Sequence, residues 1–468
     1  MRYPDLALLT ASLSLFAGCA TAPAGAPPAA ATTVPGAGAA LAAFSNAPAP
    51  AVKPDLVVAA DGSGDFKTVE AAVASIPKGN HERKIILVKD GVYHEKVRID
   101  ANDVTLIGQS RQGTRIEFAQ TIVQARTAKD NLGQGVVNVN GDDCVLQNLT
   151  VHNTSNQVAI HAFAIYGRGD RTVITDSNVW SAGNDTLSLW RTSDGMFSED
   201  ASAHTNPNGR YYHARLDVCG TVDFICPRGW CYMVDSNIHE MNPNNGASVW
   251  EDGNRDKSMK FVLRDCRFDG VPFVLARHHH DAQLYFLDCW FSSTMINQAP
   301  KRVIYPLNGG KPTPEDIQNN KEHDPTNIWG ERFYYYNSHR DGGDYAWFQD
   351  NLGTAAGAPS PAQVTAAWTF NGQWDPENQR GPAVQKVEPR GSQIAVTFGE
   401  NVTVKGQPRL ALKGGGAADY VSGSGSRTLL FAASAAGGSA ADKLDLTTGA
   451  IVATEAAATL RMAGPDLP

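Results

Sequence analysis

The sequence has few of the features that mark nucleic-acid-binding and zinc-binding proteins. Its net charge is −8, from 40 Lys and Arg against 48 Asp and Glu, and no cluster of basic residues stands out. This balance argues against a general affinity for nucleic acid. No CxxC pair occurs among the 7 cysteines, so a structural zinc site is not expected. Six cysteines remain without Cys19, their spacing fixes no disulfide pairing, and we expect buried thiols.

Long hydrophobic runs are also missing. The most apolar segment, residues 6–18, is shorter than the roughly 20 residues that span a bilayer, and it suits a secretory signal peptide. It ends at Phe16-Ala17-Gly18-Cys19, which resembles a bacterial lipoprotein cleavage site with Cys19 as the lipid-bearing residue. We expect a signal peptide over residues 1–18, favouring the lipoprotein type over an ordinary cleaved signal.

The segment after the predicted signal peptide is expected to be a tether. Residues 19–54 are almost entirely Ala, Pro, Gly and Thr, a composition that cannot bury a core and is typical of a tether. The protein is therefore expected to be exported, either to the periplasm or to the outer membrane as a lipoprotein, where it could face the cell surface. A lipid anchor would be its only contact with the membrane.

One short pattern recurs from residue 55 to about residue 380. Apolar residues precede an Asn or Asp, a small residue, a variable position and usually another apolar residue, as in VLQNLTV, VITDSNV, YMVDSNI and YFLDCWF. Short strands that recur at irregular intervals without helices between them indicate a solenoid. The regular hairpin signals of a β-sandwich are scarce. The Asn or Asp positions are Asn148, Asp176, Asp235, Asp265, Asp288 and Asn337, with a weaker copy near residue 215.

We therefore predict an all-β protein whose main domain, residues 55–380, is a parallel β-helix. In this fold the small residues of the pattern stack inside the solenoid as a ladder. The predicted members of this ladder are Ser177, Ser236, Cys266, Cys289 and Ser338.

The two ends of the predicted solenoid carry other patterns. In FKTVEAAVASIP, apolar residues from Val69 to Ile76 recur at the spacing of an amphipathic helix, which a proline ends. We expect this helix to cap the exposed edge of the first coil. Residues 381–468 alternate apolar and polar positions between Gly, Asn and Pro, which predicts a small β-sandwich. It resembles the Ig-like modules of bacterial surface proteins, as a spacer or as a carbohydrate-binding module.

Two aspartates lie in apolar surroundings. Asp223 stands in the run VDFI, and Asp185 precedes Thr186 and Leu187. An ionised carboxylate among such neighbours is costly unless a partner or a reaction uses it. If successive coils stack, the two carboxyl groups approach each other, their pKa values separate, and one can act as a nucleophile or base while the other acts as an acid. The alternative is two unrelated turn aspartates that cap backbone amides.

Several stretches together resemble the pectin methylesterase family (pectinesterases, carbohydrate esterase family eight). They are GSGDFKTVEAAVASIP at residues 62–77, IILVKDGVYHEKVRI, VTLIGQS, GNDTL at 183–187, GTVDFI at 220–225 and Arg277 in VLARHHHD. The resemblance covers about residues 55–350. It implies a right-handed parallel β-helix, in agreement with the solenoid inferred from the repeats.

The resemblance also implies roles for individual residues. Asp223 would be the nucleophile that attacks the methyl ester of a galacturonate. Asp185 would be the acid and base, and Arg277 would pair with Asp223 and orient it. Neither a metal nor another cofactor is implied. The expected partner is pectin or a related methyl-esterified uronate polysaccharide, bound by a monomer.

Some positions depart from the family pattern. Asn184 and His161 stand where the family has the glutamines that stabilise the oxyanion, and Cys226-Pro227 follow the nucleophile segment. The tryptophan that stacks on the sugar is replaced near His279. We expect Arg277, His279 and Trp230 to contact substrate, with Trp190 and Trp250 as further aromatic residues that could stack on a sugar or pack internally.

Three functions follow from these observations. The first is an exported esterase that removes methyl groups from pectin. The second, suggested by the altered oxyanion positions, is an esterase for another acyl group such as acetyl. The third is a surface protein that binds polysaccharide without turnover, in which Arg277 and Asp223 form a buried ion pair that only orders the coil.

Overall fold

In the computed structural model, most of the described residues lie in short strands and turns. The described ranges are 54–128, 131–158, 160–190, 209–251, 258–278, 283–306, 309–321, 332–377, 384–404, 408–412, 417–433, 441–445 and 451–453. The predicted signal peptide with Cys19, nearly all of the tether, and His279 lie outside these residues. Within the described ranges, no helix has the length and apolar character needed to cross a membrane.

Between residues 56 and 340, the described strands are parallel and stack in three faces, each strand pairing with those one coil before and one coil after it. Face 1 consists of β1 (Leu56–Val58), β2 (Lys84–Val88), β5 (Val104–Gly108), β8 (Val145–Gln147), β11 (Thr172–Thr175), β14 (Gly209–Ala214), part of β16 (Ile225–Val234), β19 (Phe261–Arg264), β22 (Gln283–Leu287) and β25 (Arg332–Tyr336). Face 2 consists of β3 (Gly91–Tyr93), β6 (Thr114–Phe118), β9 (Thr150–Asn153), β12 (Asn178–Ser181), β15 (Asp217–Gly220), β17 (Asn237–Glu240), β20 (Arg267–Gly270), β23 (Trp290–Phe291) and β26 (His339–Arg340). Face 3 consists of β4 (Val97–Ile99), β7 (Val137–Val139), β10 (Ile165–Gly167), β13 (Leu187–Trp190), the start of β16, β18 (Ala247–Glu251), β21 (Val274–His278) and β24 (Lys301–Arg302).

The long strand β16 belongs to two faces. Residues 225–228 pair with β13 in face 3, and residues 229–234 pair with β14 in face 1. Among the described residues, faces 1 and 3 therefore form one continuous 17-stranded sheet beside the 9-stranded sheet of face 2. The predicted parallel β-helix is confirmed.

The recurring Asn and Asp residues mark the turn between faces 1 and 2. This turn requires a backbone with positive φ, which Asn and Asp adopt more readily than other residues with a side chain. The weaker copy of the pattern places Arg215 at the same position with a φ of 54°. The φ values are 57° for Asn148, 54° for Asp176, 49° for Asp235, 51° for Asp265, 55° for Asp288 and 45° for Asn337.

The predicted internal ladder of small residues is also confirmed. The Ser177 hydroxyl donates to the Thr175 carbonyl and accepts from the Leu149 N–H, so it joins two coils. Ser236 and Ser338 make the same pair of contacts, and the thiols of Cys266 and Cys289 contact carbonyls of their own and the preceding coil. A small polar side chain here satisfies backbone groups that the turn leaves without a strand partner.

The interior of the coil is apolar along its length. Aliphatic side chains such as Val58, Ile86 and Leu106 fill the first coils and are fully buried. Phenylalanine rings fill the later ones, with the Phe268 and Phe291 centroids 5.3 Å apart. Free cysteines inside and against the coils are buried, as expected; they are Cys144, Cys226, Cys231, Cys266 and Cys289. Burial of this surface supplies most of the stabilisation.

The helices are short. The segment predicted as a cap is α1 (Val69–Ala74), which buries Val69, Ala72 and Val73 against β4 and its neighbours. Thr68 accepts a hydrogen bond at its start, and the Glu95 carboxylate accepts from its first two N–H groups at 2.8 and 2.9 Å. Its function as a cap stays a prediction. The others are α2 (Ile122–Ala128), α3 (Pro314–Lys321), α4 (Ala366–Thr369) and 3-10 turns at Ala346–Phe348 and Pro361–Gln363.

A second hydrophobic cluster lies on the outer surface of face 1. Residues 352–374, which include α4, place Phe370 and Trp374 against tyrosines of β14, β16, β22 and β25. Tyr285 and Tyr334 stack with centroids 4.8 Å apart, and the Lys260 ammonium lies 4.6 Å from the Trp368 ring centroid. This side of the coil is therefore occupied by the chain itself.

The last strands pair differently from all the others. They are β27 (Val384–Arg390), β28 (Gln393–Val404), β29 (Arg409–Leu412), β30 (Ala417–Ser422), β31 (Ser426–Ala433), β32 (Ala441–Asp445) and β33 (Ile451–Ala453). Their pairing is antiparallel in the order β27-β28-β31-β30-β29-β32, with β33 beside β28, around a separate apolar cluster that includes Val396, Phe398 and Leu410. The Ig-like sandwich and the boundary at residue 381 stay predictions.

Candidate active site

Asp185 and Asp223 occupy the same position in successive coils. β13 pairs with β16 so that Leu187 lies opposite Ile225, and each aspartate lies two residues before its strand begins. The Asp185 N–H donates to the Val222 carbonyl at 3.0 Å. Both aspartates therefore lie in the turn between faces 2 and 3, one coil apart.

Both aspartates have a left-handed backbone, with φ of 56° for Asp185 and 53° for Asp223. A side chain in this region costs on the order of 1–3 kcal/mol, which the paired strands on either side must offset. The turn between faces 1 and 2 uses the same conformation at Asp176, which forms a partly exposed ion pair with Arg215. The backbone alone therefore does not identify a site, and the surroundings of the carboxyl group decide.

Asp223 is held by Arg277 from β21. The Arg277 Nε lies 2.7 and 3.1 Å from the two carboxylate oxygens, and its Nη2 lies 2.5 Å from Oδ2. The side chain of Asp223 is 10% exposed and that of Arg277 is 22% exposed. Burial alone would lower the pKa of Arg277, but the hydrogen bonds and charge of Asp223 outweigh it and raise that pKa. Each member of the pair thereby favours the charged form of the other.

The Asp185 carboxyl group, unlike that of Asp223, lies in surroundings that favour its protonated form. Its pKa is raised well above the usual value, first by burial and second by the negative charge of Asp223. The charges of Arg228 and Arg277 and a hydrogen bond with the Cys226 thiol oppose this rise without cancelling it. The site therefore sets a carboxylate paired with an arginine beside a carboxyl group whose pKa is raised, which is the arrangement expected of an acid–nucleophile pair.

His161 lies one coil before Asp185. Its Nε2 is 3.7 Å from Oδ1 of Asp185, so the two are close without a hydrogen bond. Burial lowers the pKa of His161 to about 4, and the positive charges of Arg126, Arg228 and Arg277 contribute. The ring is therefore neutral at neutral pH and can donate one N–H.

Asn184 lies directly beside His161. The two residues form a parallel bridge between neighbouring coils, and the Ala162 N–H donates to the Asn184 carbonyl. The Asn184 Oδ1 accepts a hydrogen bond from the Thr221 hydroxyl at 3.0 Å. This contact fixes which end of the amide is the acceptor and leaves Nδ2 as its donor end.

Aromatic side chains line the outer surface of face 3 next to the aspartates. Phe163, Tyr166, Trp190 and Trp250 form a buried cluster there, with Tyr305 packed against it. The Arg228 guanidinium carbon lies 3.1 Å from the Trp190 ring centroid, and that of Arg277 lies 5.2 Å from the Trp250 ring. The cluster thus packs the cations Arg228 and Arg277 against buried aromatic rings beside the aspartates.

The structure does not bring Trp230 to the aspartates. β16 has turned the corner into face 1 by this residue, and Trp230 packs against the cluster that covers that face. Its indole N–H donates to the Ser258 carbonyl at 3.1 Å. A contact of Trp230 with substrate stays a prediction. His279, the other predicted substrate contact, lies outside the described residues.

Some residues of this site were not singled out from the sequence. Thr221 orients Asn184, and Arg228 stacks on Trp190. Cys226, noted above only as a departure from the family pattern, contacts Asp185. The coil register could have pointed to Arg228. Residues the same number of positions after Asp185 and Asp223 lie side by side in neighbouring coils, as Trp190 and Arg228 do.

Residues 55–300 resemble pectinesterases in sequence. A family model described as Pectinesterase matches residues 55–300, more than half of the 468 residues. The chain is 27% identical over 231 residues to Pectinesterase 2 of Arabidopsis thaliana, which is 48% of this chain and 36% of the relative. It is 32% identical over 197 residues to Pectinesterase 1 of Citrus sinensis, which is 42% of this chain and 30% of the relative. The chain thus spans about a third of the length of these curated relatives.

The fold resembles that of solved pectin methylesterases. The pectin methylesterase PemA from Erwinia chrysanthemi matches with a TM-score of 0.51 and 21% identity, over 68% of this chain and 98% of that one. A pectin methylesterase in complex with a hexasaccharide matches with a TM-score of 0.50 and 22% identity, over 68% and 98%. These likenesses show the fold, and the family match over residues 55–300 shows that the chain belongs to the pectinesterase family.

Proposed function

We propose that the protein hydrolyses the methyl esters of galacturonate in pectin and releases methanol. The observation that carries this proposal is the pair of aspartates at equal positions in adjacent coils, one ion-paired with Arg277 and the other with a raised pKa. A nucleophile and an acid are the two groups that ester hydrolysis through a covalent intermediate needs.

The proposed reaction starts with Asp223 ionised and Asp185 protonated. An Asp223 oxygen attacks the ester carbonyl carbon, and the carbon–methoxy bond breaks as Asp185 gives its proton to the departing methanol. The resulting acyl-enzyme is an anhydride of Asp223. Asp185, now ionised, takes a proton from water as that water attacks the substrate carbonyl, and the galacturonate leaves with Asp223 again a carboxylate. Arg277 keeps Asp223 ionised and aimed.

Asn184 and His161 would stabilise the oxyanion of both tetrahedral states. The amide end of Asn184 is oriented by Thr221, and the neutral His161 ring carries one N–H donor. Each such donor contributes roughly 10²–10³ in rate when it is well placed. Asn is one methylene shorter than Gln, so a substrate must approach this part of the turn more closely.

The substrate would lie along the outer surface of face 3. A fold relative forms a complex with a hexasaccharide, and Arg277, whose side chain is 22% exposed, provides a cation for a uronate chain beside the buried aromatic cluster. His279 would also contact the substrate. The working form is a monomer, exported by the signal peptide over residues 1–18. Lipidation of Cys19 would anchor it in the outer membrane, and without it the protein would be periplasmic.

The experiment that tests this proposal is a comparison of ester substrates. Methanol release from highly methylated pectin and acetate release from acetylated pectin are measured beside binding of both polymers. Methanol release with little acetate supports the proposal. Acetate release alone indicates an esterase for another acyl group, which the positions of Asn184 and His161 favour as the second candidate. Binding without either product indicates a polysaccharide-binding protein.

A further inference from the structure

Arg228 is a charged residue beside the aspartates that the proposed mechanism does not use. It lies on the part of β16 that pairs in face 3, directly opposite Trp190 of β13. Its guanidinium carbon is 3.1 Å from the centroid of the Trp190 ring, and that ring is buried. Because a cation is attracted to the face of an indole, the buried ring fixes where the charge of Arg228 stands.

The Trp190 ring also connects this charge with Asp185. Trp190 and Cys226 belong to the same buried cluster on the outer surface of face 3. The Cys226 thiol contacts both the Asp185 carboxyl group and the Trp190 indole. A single thiol therefore separates the carboxyl group of the proposed acid from the ring on which Arg228 lies.

The two arginines of the site act on different aspartates. Arg277 is held by Asp223, with its Nε 2.7 and 3.1 Å from the two carboxylate oxygens. Burial and the charge of Asp223 raise the pKa of Asp185, and Arg228 opposes this rise more strongly than Arg277 does. Arg277 therefore serves the proposed nucleophile, and Arg228 is the cation with the greater effect on the proposed acid.

The proposed reaction creates a need for such a cation. When Asp185 gives its proton to methanol it becomes a carboxylate, while Asp223 is bound in the anhydride and has lost its own charge. Asp185 is 5% exposed, and a buried carboxylate is costly unless a positive charge is near it. A charge that is fixed before the step stabilises the new anion without further rearrangement.

We propose that Arg228 is a positioning residue that keeps Asp185 ionised in the acyl-enzyme, so that Asp185 can take a proton from the attacking water. The inference rests on the proposed esterase function and extends it to the second half of the reaction. Arg228 acts through Asp185 and does not itself react with the substrate.

Several groups besides Arg228 face Asp185, so the test needs a matched control. The groups are Asp223 and Cys226 from the next coil, Arg277 from β21, and His161 from the preceding coil, on which Arg126 of α2 acts. Arg267 provides the control, because its guanidinium carbon lies 3.6 Å from the Trp290 ring centroid on face 2. Arg267→Met thus removes the same kind of stacked cation away from the aspartates.

The kinetic test compares wild type with Arg228→Met, Arg228→Lys and Arg267→Met in methanol release from methylated pectin. Without the positive charge Asp185 holds its proton more tightly, so the alkaline midpoint of kcat/KM should move to higher pH in R228M. Lysine keeps the charge, so R228K should restore the wild-type midpoint, and R267M should leave it in place. A loss of packing alone would lower the rate without moving the midpoint.

The same variants separate the two halves of the reaction. Methanol leaves in the first half and galacturonate in the second, so a slow second half gives a methanol burst stoichiometric with the enzyme. On the acid side of the profile we expect this burst in R228M, followed by a steady rate lower by about tenfold, which corresponds to one pKa unit at Asp185. R267M should behave as wild type. A midpoint and a burst in R228M equal to those of wild type would overturn the proposal.

A titration of the free protein distinguishes this proposal from the proposed function. The carboxyl carbon of Asp185 can be followed by NMR in protein with carbon-13 aspartate, with Asp185→Asn identifying its signal. Its midpoint should lie at a higher pH in R228M than in wild type and R267M. Equal midpoints in R228M and wild type would overturn the proposal whether or not methanol is released, whereas a wild type that releases no methanol contradicts the proposed function.

Discussion

The turn between faces 1 and 2 and the turn between faces 2 and 3 use the same backbone for different purposes. Asp176 in the first and Asp223 in the second have φ values of 54° and 53°, and each carboxylate pairs with an arginine. The Asp176 and Arg215 side chains are 31% and 40% exposed, whereas those of Asp223 and Arg277 are 10% and 22% exposed.

The turn conformation therefore does not distinguish a structural aspartate from a candidate catalytic one. The residues around the carboxyl group do. Asp223 has a second carboxyl group one coil before it and a buried cluster of aromatic residues beside it. Asp176 has neither among the contacts described above. The same local solution to a tight turn is structural at one corner and, in our proposal, catalytic at the other. The predictions below compare matched variants at the two corners.

The largest effect is expected from the two arginines. Arg277→Met leaves a buried carboxylate without its partner, so we expect the free energy of unfolding to fall by about 3–5 kcal/mol and methanol release to fall by at least ~10²-fold. Arg215→Met at the exposed pair should cost only about 0–1 kcal/mol and leave release within about twofold. Denaturant unfolding and kcat/KM measure both, and equal losses in the two variants would contradict the comparison.

A smaller effect is expected from the amide at the second corner. Asn184→Ala should lower kcat by roughly 10²-fold through loss of an oxyanion donor. Thr221→Val removes only the hydroxyl that orients this amide, and we expect a loss of about three- to tenfold in kcat with KM nearly constant. Steady-state kinetics on methylated pectin distinguish the two. A greater loss in Thr221→Val than in Asn184→Ala would show that Thr221 acts in some other way.

The smallest effect concerns stability in acid. The pKa of His161 is lowered to about 4, so between its ordinary value of about 6.5 and pH 4 the unfolded chain takes up a proton that the folded protein does not. Wild type should therefore lose slightly more stability over this interval than His161→Gln, and the two should run parallel below pH 4. Thermal unfolding at several pH values measures this. Identical acid profiles would show that the ring is already charged in the folded protein.

Much of the fold could be predicted from the sequence because a solenoid repeats one local requirement. The turn between faces 1 and 2 needs positive φ, which favours Asn and Asp, and the next position needs a small side chain, so both appear as a pattern. The motifs that contain Asp185 and Asp223 lie within residues 55–300, which the pectinesterase family model matches, and the catalytic roles of the two aspartates stay a prediction.

The positions of the other site residues depend on where the chain passes from one face of the coil to the next. The local sequence pattern does not predict these positions. Arg228 lies on the part of β16 that pairs in face 3, and Trp230 lies on the part that pairs in face 1. Nothing in the sequence ICPRGWC marks the corner between them. Such contacts join residues that are distant in sequence, and they follow only from the register.

The most direct test of the account is methanol release from highly methylated pectin by wild type, Asp223→Asn, Asp185→Asn and Asp176→Asn. The account predicts release by wild type and Asp176→Asn within about twofold of each other, and losses on the order of 10⁴ or more for Asp223→Asn and Asp185→Asn. Full activity of Asp223→Asn, or no release by wild type, would contradict it.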